Sequence, residues 1–87
     1  MIEITPGFKK DFKRVKKQGK NADEIVEVFT RLARGEKLEK KFRDHKLKGK
    51  YAQHRECHIN PDLLLIYKID EAKLILTRLG SHSELFR

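Results

Sequence analysis

The second half of the chain holds all of its histidines, the side chains best suited to proton transfer near neutral pH. They are His45, His54, His58 and His82, and Asp62 and several lysines lie among them. No spacing typical of a metal site, such as H-E-x-x-H or C-x-x-C, connects these residues. On an extended strand, His54 and His58 would lie about 13 Å apart, too far to share one ion. We therefore expect acid–base chemistry and no metal coordination.

Cleavage of RNA is a reaction that such side chains can catalyse. A base takes the proton of a 2′-hydroxyl, an acid protonates the leaving 5′-oxygen, and cations balance the charge on the phosphate. Ser81 and Glu84 have the spacing of a capping box, which predicts a helical turn with His82 and Phe86 on the same side. Phe86 then either stacks on a base or closes the core. For His54, the sequence gives no indication of a catalytic role beyond its residue type.

A hairpin over residues 55–68 is the centre of the predicted fold, with a turn at 60–62 whose Asn-Pro-Asp sequence favours turn geometry. Residues 63–67 form an unbroken apolar run, which favours a central strand buried on both faces. On the preceding strand, alternation places Glu56 and His58 on one face. A titratable face therefore lies beside the most buried strand.

Two short helices are predicted in the first half of the chain. The first begins at Thr5-Pro6 and ends at Gly19. The second begins at Asn21, which has capping-box spacing to Glu24, and ends near Gly35. Their buried stripes are Phe8, Phe12 and Val15 on the first helix and Ile25, Val28, Phe29 and Leu32 on the second.

These elements predict an α+β fold of element order βααβββ, a helical hairpin packed on an antiparallel sheet with a short C-terminal helical turn. Residues 1–5 form the first strand and residues 73–79 the last. Residues 36–50 lack periodicity and are interpreted as a basic loop. We expect one domain over residues 1–87.

The net charge of +8 is unevenly distributed. Residues 1–50 carry 16 Lys and Arg against 8 Asp and Glu, whereas residues 51–87 carry 5 of each kind. A basic surface of this kind suits a polyanion such as RNA, although a merely soluble, lysine-rich surface explains the charge equally well. The sequence has neither a signal peptide nor an apolar run of membrane-spanning length, so we expect a cytoplasmic protein with no membrane partner. Cys57 is the only cysteine and is interpreted as a small buried residue.

Three segments in the second half of the chain resemble the YafQ branch of the RelE/ParE toxin superfamily. They read D-H-K-L-K-G at residues 44–49, R-E-C-H-I-N-P-D-L-L-L-I-Y at 55–67 and R-L-G-S-H-S-E-L-F at 78–86. The resemblance implies a RelE-like fold and a type II toxin, a ribosome-dependent endoribonuclease that cuts mRNA in the ribosomal A site without a metal or other cofactor. It also implies a cognate antitoxin as a partner and binding of operator DNA through the toxin–antitoxin complex.

The functional positions of that family match five residues of this chain, which are His45, His58, Asp62, His82 and Phe86. The resemblance implies His82 as general acid or base, with His45 and Asp62 sharing proton transfer and His58 orienting the scissile phosphate. Nearby cations offer phosphate contacts, namely Lys46, Lys48 and Arg55. Leu63 stands where the best-known members have tryptophan, so base stacking at that position is lost or moves to Phe86.

Two other functions remain open from the sequence. One is a toxin of the same fold without nuclease activity that binds a protein target such as DNA gyrase, as the ParE branch does. The other is a small basic ribosome- or RNA-binding protein without catalysis. The four residues His45, His58, Asp62 and His82 argue for the nuclease, because a binding module needs no such set.

Overall fold

Five strands form one mixed sheet in the computed structural model, which describes residues 1–20 and 22–86. In chain order they are β1 (Ile2–Ile4), β2 (His45–Lys46), β3 (Arg55–Asn60), β4 (Leu63–Asp70) and β5 (Lys73–Gly80). Their order across the sheet is β1-β5-β4-β3-β2. All neighbouring strands are antiparallel except β1 and β5, which are parallel.

The predicted α+β class is confirmed, but two details of the predicted topology are wrong. The sheet is not wholly antiparallel, because the chain between β1 and β5 is long enough to bring β5 back parallel to β1. The region 36–50, predicted as a loop, contains β2, which pairs with the start of β3. Two one-turn 3₁₀ helices flank β2, and each buries one aromatic side chain, Phe42 before it and Tyr51 after it.

In the described residues the sheet is accompanied by three α-helices, α1 (Pro6–Lys17), α2 (Ala22–Ala33) and α3 (His82–Leu85). Thr5 is the N-cap of α1, as predicted, and its hydroxyl accepts a hydrogen bond of 3.0 Å from the Phe8 N–H. Gly19 follows the helix with a φ of 78°, in the left-handed region that glycine adopts readily. The predicted N-cap of α2, Asn21, lies outside the described residues. Among residues 1–20 and 22–86, no helix is long and apolar enough to cross a membrane.

Strand β4 is buried on both faces, as its apolar run predicts. Leu63, Leu65 and Tyr67 pack in the main core, together with buried residues of α1 and α2. Leu64 and Ile66 point to the opposite face, where a smaller cluster forms.

Cys57 lies in the main core, which confirms its interpretation as a small buried residue. Burial, together with the negative charges of Asp44 and Glu56, raises the pKa of its thiol to about 12. The thiol therefore stays protonated near neutral pH, and Cys57 is a structural cysteine without nucleophilic character.

Asp11 ties α1 to the end of β5 and is only 2% exposed. Because β1 pairs with β5 only at residues 74–76, side chains of α1 take over the hydrogen bonds further along that edge. Asp11 Oδ2 accepts from the Leu79 N–H at 2.9 Å and from Arg78 Nε at 2.6 Å, and its Oδ1 accepts from Arg14 Nη1 at 2.9 Å. Burial alone raises the pKa of Asp11, but the hydrogen bonds from Arg78, the Leu79 N–H and Arg14 outweigh it and hold the pKa below its usual value.

Replacing the Asp11 carboxylate should make the free energy of unfolding vary less with pH in the acidic range. We expect Asp11→Asn to lower the free energy of unfolding at pH 7 by about 2–4 kcal/mol, because the buried donors lose their charged acceptor. A depressed native pKa stabilises the fold above the unfolded pKa of about 4, and this contribution disappears as the pH falls through the native value.

The difference between wild type and Asp11→Asn should therefore narrow between pH 5 and pH 2, as measured by urea unfolding. Asp70→Asn is the control, because Asp70 is exposed at the end of β4. A difference that stays constant over this pH range would contradict the role given to Asp11.

Candidate active site

Two neighbouring rows of residues on one face of the sheet contain the candidate histidines of β2 and β3, His45 and His58. The first row runs across four strands through His45, Glu56, Ile66 and Arg78. The second row runs across three strands through His58, Leu64 and Gly80. Paired residues point to the same face, and so do residues two apart on a strand. With adjacent strands about 4.8 Å apart, the backbones of His58 and Gly80 are roughly 10 Å apart.

His45, Glu56 and His58 form a polar group at the β2 and β3 side of this face. Oε1 of Glu56 lies 3.5 Å from His45 Nε2 and 3.4 Å from His58 Nε2, and the two imidazole ring centres are 6.4 Å apart. The Glu56 side chain is only 7% exposed, whereas that of His45 is 50% exposed. One carboxylate thus lies within ion-pairing distance of both histidines.

The hydrogen bonding of His45 determines which of its ring nitrogens exchanges a proton. Its Nδ1 lies 2.7 Å from the Arg43 carbonyl oxygen, which can only accept, so Nδ1 carries the hydrogen. In the neutral ring Nε2 is then unprotonated, and it is this nitrogen that faces Glu56. His45 is therefore arranged as a proton acceptor whose protonated form is paired with a carboxylate.

Asp44 holds the segment that carries His45 against the sheet. Its Oδ1 accepts from Arg55 Nε at 2.7 Å, and its Oδ2 accepts from the Tyr67 hydroxyl. Burial of the phenol, and then its hydrogen bond to Asp44, raise the pKa of Tyr67 above its usual value, so the hydroxyl remains a donor. Both partners of Asp44 are on strands, which makes the position of β2 depend on a side-chain interaction as well as on two residues of strand pairing.

His82 and Phe86 form a second group at the far side of the same face, where β5 leads into α3. Ser81 caps α3, its Oγ accepting from the Glu84 N–H while its own N–H donates to the Glu84 carboxylate, which confirms the predicted capping box. The ring centres of His82 and Phe86 are 4.9 Å apart, and Tyr51 meets Phe86 edge-on at 5.8 Å. Both His82 and Phe86 are exposed. An imidazole and an aromatic surface are thus presented together to solvent.

A small apolar cluster separates the two histidine groups. It consists of Tyr51, Leu64, Ile66 and Leu85, with Leu47 packed against it. These side chains keep water away from the middle of the face and fix the spacing between its two sides. They also place Tyr51 next to His54, the histidine outside the predicted site, at 5.9 Å between ring centres.

The structure leaves Asp62 apart from both groups. It is exposed in the turn between β3 and β4, where its N–H donates to the Asn60 side chain at 3.0 Å. Within the described ranges, no hydrogen bond or ion pair joins its carboxylate to a histidine. Leu63, at the position where the best-known members have tryptophan, is 1% exposed in the main core and offers no surface to a base.

The predicted phosphate-binding cations differ in their availability. Lys46 and Lys48 are exposed on and beside β2. Lys46 pairs with Arg55, however, and these two residues alternate with His45 and Glu56 and so point to the opposite face of the sheet. Arg55 is partly buried and its Nε is paired with Asp44, so only its other guanidinium nitrogens are left for a phosphate.

Sequence reasoning missed three residues of this face, Glu56, Tyr51 and Arg78. Strand alternation placed Glu56 on the same face as His58, a signal that would have been sufficient to include Glu56 among the predicted site residues. Tyr51 and Arg78 carried no such signal, because their positions depend on the 3₁₀ turn Gly49–Tyr51 and on the pairing of β5. In the part of the chain that the structure describes, no group of three or more His, Cys, Asp or Glu residues is arranged to hold a metal ion.

Comparison with known proteins identifies relatives over the full length of the chain. All of residues 1–87 match the model of a family described as the bacterial toxin of type II toxin–antitoxin system, YafQ. The mRNA interferase toxin YafQ of Escherichia coli K12 is 33% identical over 86 residues, which cover 98% of this chain and 94% of the relative.

Solved structures of such toxins have the same fold. The E. coli toxin in its DinJ–YafQ toxin–antitoxin complex superposes with a TM-score of 0.91 at 32% identity, over 100% of this chain and 97% of the other. A copper-bound mutant toxin from Helicobacter pylori superposes with a TM-score of 0.92 at 45% identity, over 98% and 97% of the two chains.

The interaction of Tyr67 with Asp44 should contribute measurably to stability. We expect Tyr67→Phe to lower the free energy of unfolding by about 1–2 kcal/mol, because one oxygen of a partly buried carboxylate loses its donor. The measurement is urea unfolding of Tyr67→Phe in the wild-type and in the Asp44→Ala background. In the second background the cost should largely disappear. An equal cost in both backgrounds would show that the hydroxyl acts through another partner.

Proposed function

The chain belongs to the YafQ family of bacterial toxins from type II toxin–antitoxin systems, and we propose that its two histidine groups carry out the cleavage of mRNA. The E. coli relatives are called mRNA interferases, and we assign the same endoribonuclease activity to this chain. The observation that supports it is the common sheet face, with a proton acceptor at one side and an exposed histidine beside an aromatic ring at the other.

The reaction requires one proton to leave the RNA and another to arrive. In our proposal Nε2 of His45 takes the proton of the 2′-hydroxyl while the 2′-oxygen attacks the adjacent phosphorus. The bond from phosphorus to the 5′-oxygen breaks, and protonated His82 donates its proton to that oxygen. The products are a fragment ending in a 2′,3′-cyclic phosphate and a fragment beginning with a 5′-hydroxyl. Glu56 stabilises the imidazolium that forms at His45.

The remaining residues bind and orient the substrate. His58 shares Glu56 with His45 and lies closer to the middle of the face, where a protonated ring would contact the scissile phosphate. Phe86 is exposed and stacks on a base beside the cut, a role that the buried Leu63 cannot take. Asp62 is placed at the rim, from which it approaches the histidines only through the substrate or a water molecule. Lys46, Lys48 and Arg55 neutralise phosphates further along the RNA, which reach Lys46 and Arg55 around the edge strand β2.

The proposed substrate is mRNA in the ribosomal A site, and the proposed place of action is the cytoplasm. A net charge of +8 supports binding to ribosomal RNA. The E. coli toxin has been solved in complex with the antitoxin DinJ. By analogy, we propose a cognate antitoxin for this chain and binding of operator DNA by the resulting complex. We also propose that the chemistry needs no metal, since protons are moved by side chains alone.

The direct test is primer extension on a defined mRNA translated with purified ribosomes. Wild-type protein should cut within codons only when ribosomes are present, and His82→Ala should slow cleavage at least about 100-fold, the usual contribution of a general acid or base. His54→Ala is the matched control and should cut like wild type, because His54 packs on Tyr51 outside both groups.

Four outcomes would overturn parts of this account. Equal cleavage by wild type and His82→Ala would remove His82 from the active site. Intact mRNA despite toxicity in cells would favour a non-nucleolytic toxin that binds a protein target, and binding to ribosomes without toxicity would favour a simple RNA-binding protein. Loss of cleavage with a chelator that removes transition metals but leaves Mg²⁺ would refute the metal-free reaction, a comparison made pertinent by the copper-bound H. pylori toxin.

A further inference from the structure

The helix that carries His82 is too short to be stable alone. α3 has only four residues, fewer than the length at which isolated helices persist in water. Its position therefore depends on contacts with the rest of the fold. Leu85 is buried in the small apolar cluster, and Phe86 packs edge-on against Tyr51 at 5.8 Å between ring centres, whereas His82 is exposed and has the Phe86 ring as its neighbour. The position of His82 therefore also depends on how the start of α3 is held.

A chain of charged side chains connects α1 to α3. It begins at the buried Asp11, which accepts from Arg14 Nη1 at 2.9 Å. The same arginine donates from Nη2 to the Leu79 carbonyl oxygen at 2.9 Å, and its Nε lies 3.5 Å from Glu84 Oε2. The other carboxylate oxygen of Glu84, Oε1, accepts from the Ser81 N–H at 2.8 Å. One arginine thus binds the end of β5 and contacts the carboxylate that caps α3.

Gly80 shows how closely these groups enclose the backbone before α3. A Cβ atom at this position would lie 2.8 Å from Arg14 Nη2 and 2.9 Å from Glu84 Oε1, both inside contact distance. Gly80 does not have a positive φ, so a larger residue here would be opposed by space and not by backbone conformation, and it would displace the ends of the Arg14 and Glu84 side chains. Because Gly80 has no side chain, Arg14 and Glu84 can approach the backbone closely at this point.

Asp11 fixes the arginine at the start of this chain. Its carboxylate binds four donors, the three already described and Arg78 Nη2 at 3.2 Å. A buried carboxylate with this many donors stays charged and has little freedom to move. Arg14 is consequently held next to Glu84, with which its Nε forms an ion pair at 3.5 Å but no hydrogen bond.

We propose that Asp11 and Arg14 are positioning residues of the active site, which hold α3 so that His82 and Phe86 face the RNA. This inference rests on the proposed nuclease function. Neither residue contacts the reacting atoms, and their effect passes through Glu84 and the cap of α3. Losing Arg14 would leave α3 attached by Leu85 and its own capping box, with His82 free to move away from the scissile phosphate.

The test compares Arg14→Gln with Arg34→Gln in ribosome-dependent cleavage under single-turnover conditions, at saturating protein. Arg34 is the matched control, because it is exposed on the segment after α2 and the substitution removes the same charge. Arg14→Gln should lower the maximal rate about 10- to 100-fold, the range expected when a catalytic group is displaced by about 1 Å. Arg34→Gln should keep the wild-type maximal rate.

A double variant tests whether Arg14 acts through Glu84. Glu84→Gln should slow cleavage as well, and Arg14→Gln combined with Glu84→Gln should be no slower than Arg14→Gln alone, since both changes break one chain. Thermal unfolding of each variant measures its remaining stability. A maximal rate that is unchanged in Arg14→Gln, or that falls equally in Arg14→Gln and Arg34→Gln, would overturn the proposal.

Nuclear magnetic resonance of the free protein provides a readout that needs no activity. The Cε1–H signal of His82 should shift and broaden in Arg14→Gln but not in Arg34→Gln. An unchanged His82 signal in Arg14→Gln would also overturn the proposal. If wild-type protein fails to cut mRNA, the proposed function fails, while the His82 signal still decides whether Arg14 positions α3.

Discussion

The register of β4 between β3 and β5 is the constraint on which the rest of the structure depends. Leu63, Leu65 and Tyr67 fill the main core, and Leu64 and Ile66 fill the opposite cluster. Burying five such side chains contributes on the order of 10 kcal/mol, comparable to the whole stability of a small domain. A slip by one residue would exchange the two sets and disrupt the rows that join Glu56 to Arg78 and His58 to Gly80 through β4. The apolar strand β4 therefore determines how the polar site residues on its two neighbours, β3 and β5, are aligned.

Two carboxylates complement this apolar framework by holding the segments that carry histidines. Asp44 binds Arg55 and Tyr67 and fixes the strand of His45, and Asp11 binds Arg14 and Arg78 and fixes the edge that leads to His82. The chain has 13 acidic residues against 21 lysines and arginines, and the buried Asp11 and the partly buried Asp44 take structural positions. Most of its lysines remain exposed to attract a polyanion. The excess of positive charge is thus compatible with a stable fold, because hydrogen-bond donors pair with both carboxylates, Asp44 and Asp11.

Much of this architecture was predictable from local patterns. The unbroken apolar run of β4, the cap at Thr5 and the capping box of Ser81 each depend on neighbouring residues alone, and all are confirmed. The parallel pairing of β1 and the existence of β2 depend on contacts between distant residues, so periodicity could not reveal them. The same distinction applies to the site. Residue type drew attention to the histidines, whereas the roles given to Asp11 and Arg14 follow only from where α1 meets β5.

The chemistry of the two RNA ends formed by cleavage is the most direct test of the central claim, that histidines on one sheet face move protons during attack by the 2′-hydroxyl. Fragments from ribosome-dependent cleavage would be treated with polynucleotide kinase and labelled ATP, with and without prior phosphatase. The account predicts downstream fragments that accept label without phosphatase because they begin with a 5′-hydroxyl, and upstream fragments that end in a 2′,3′-cyclic phosphate. Downstream fragments with a 5′-phosphate, and upstream fragments with a free 3′-hydroxyl, would contradict it, since they require attack by water and expulsion of the 3′-oxygen.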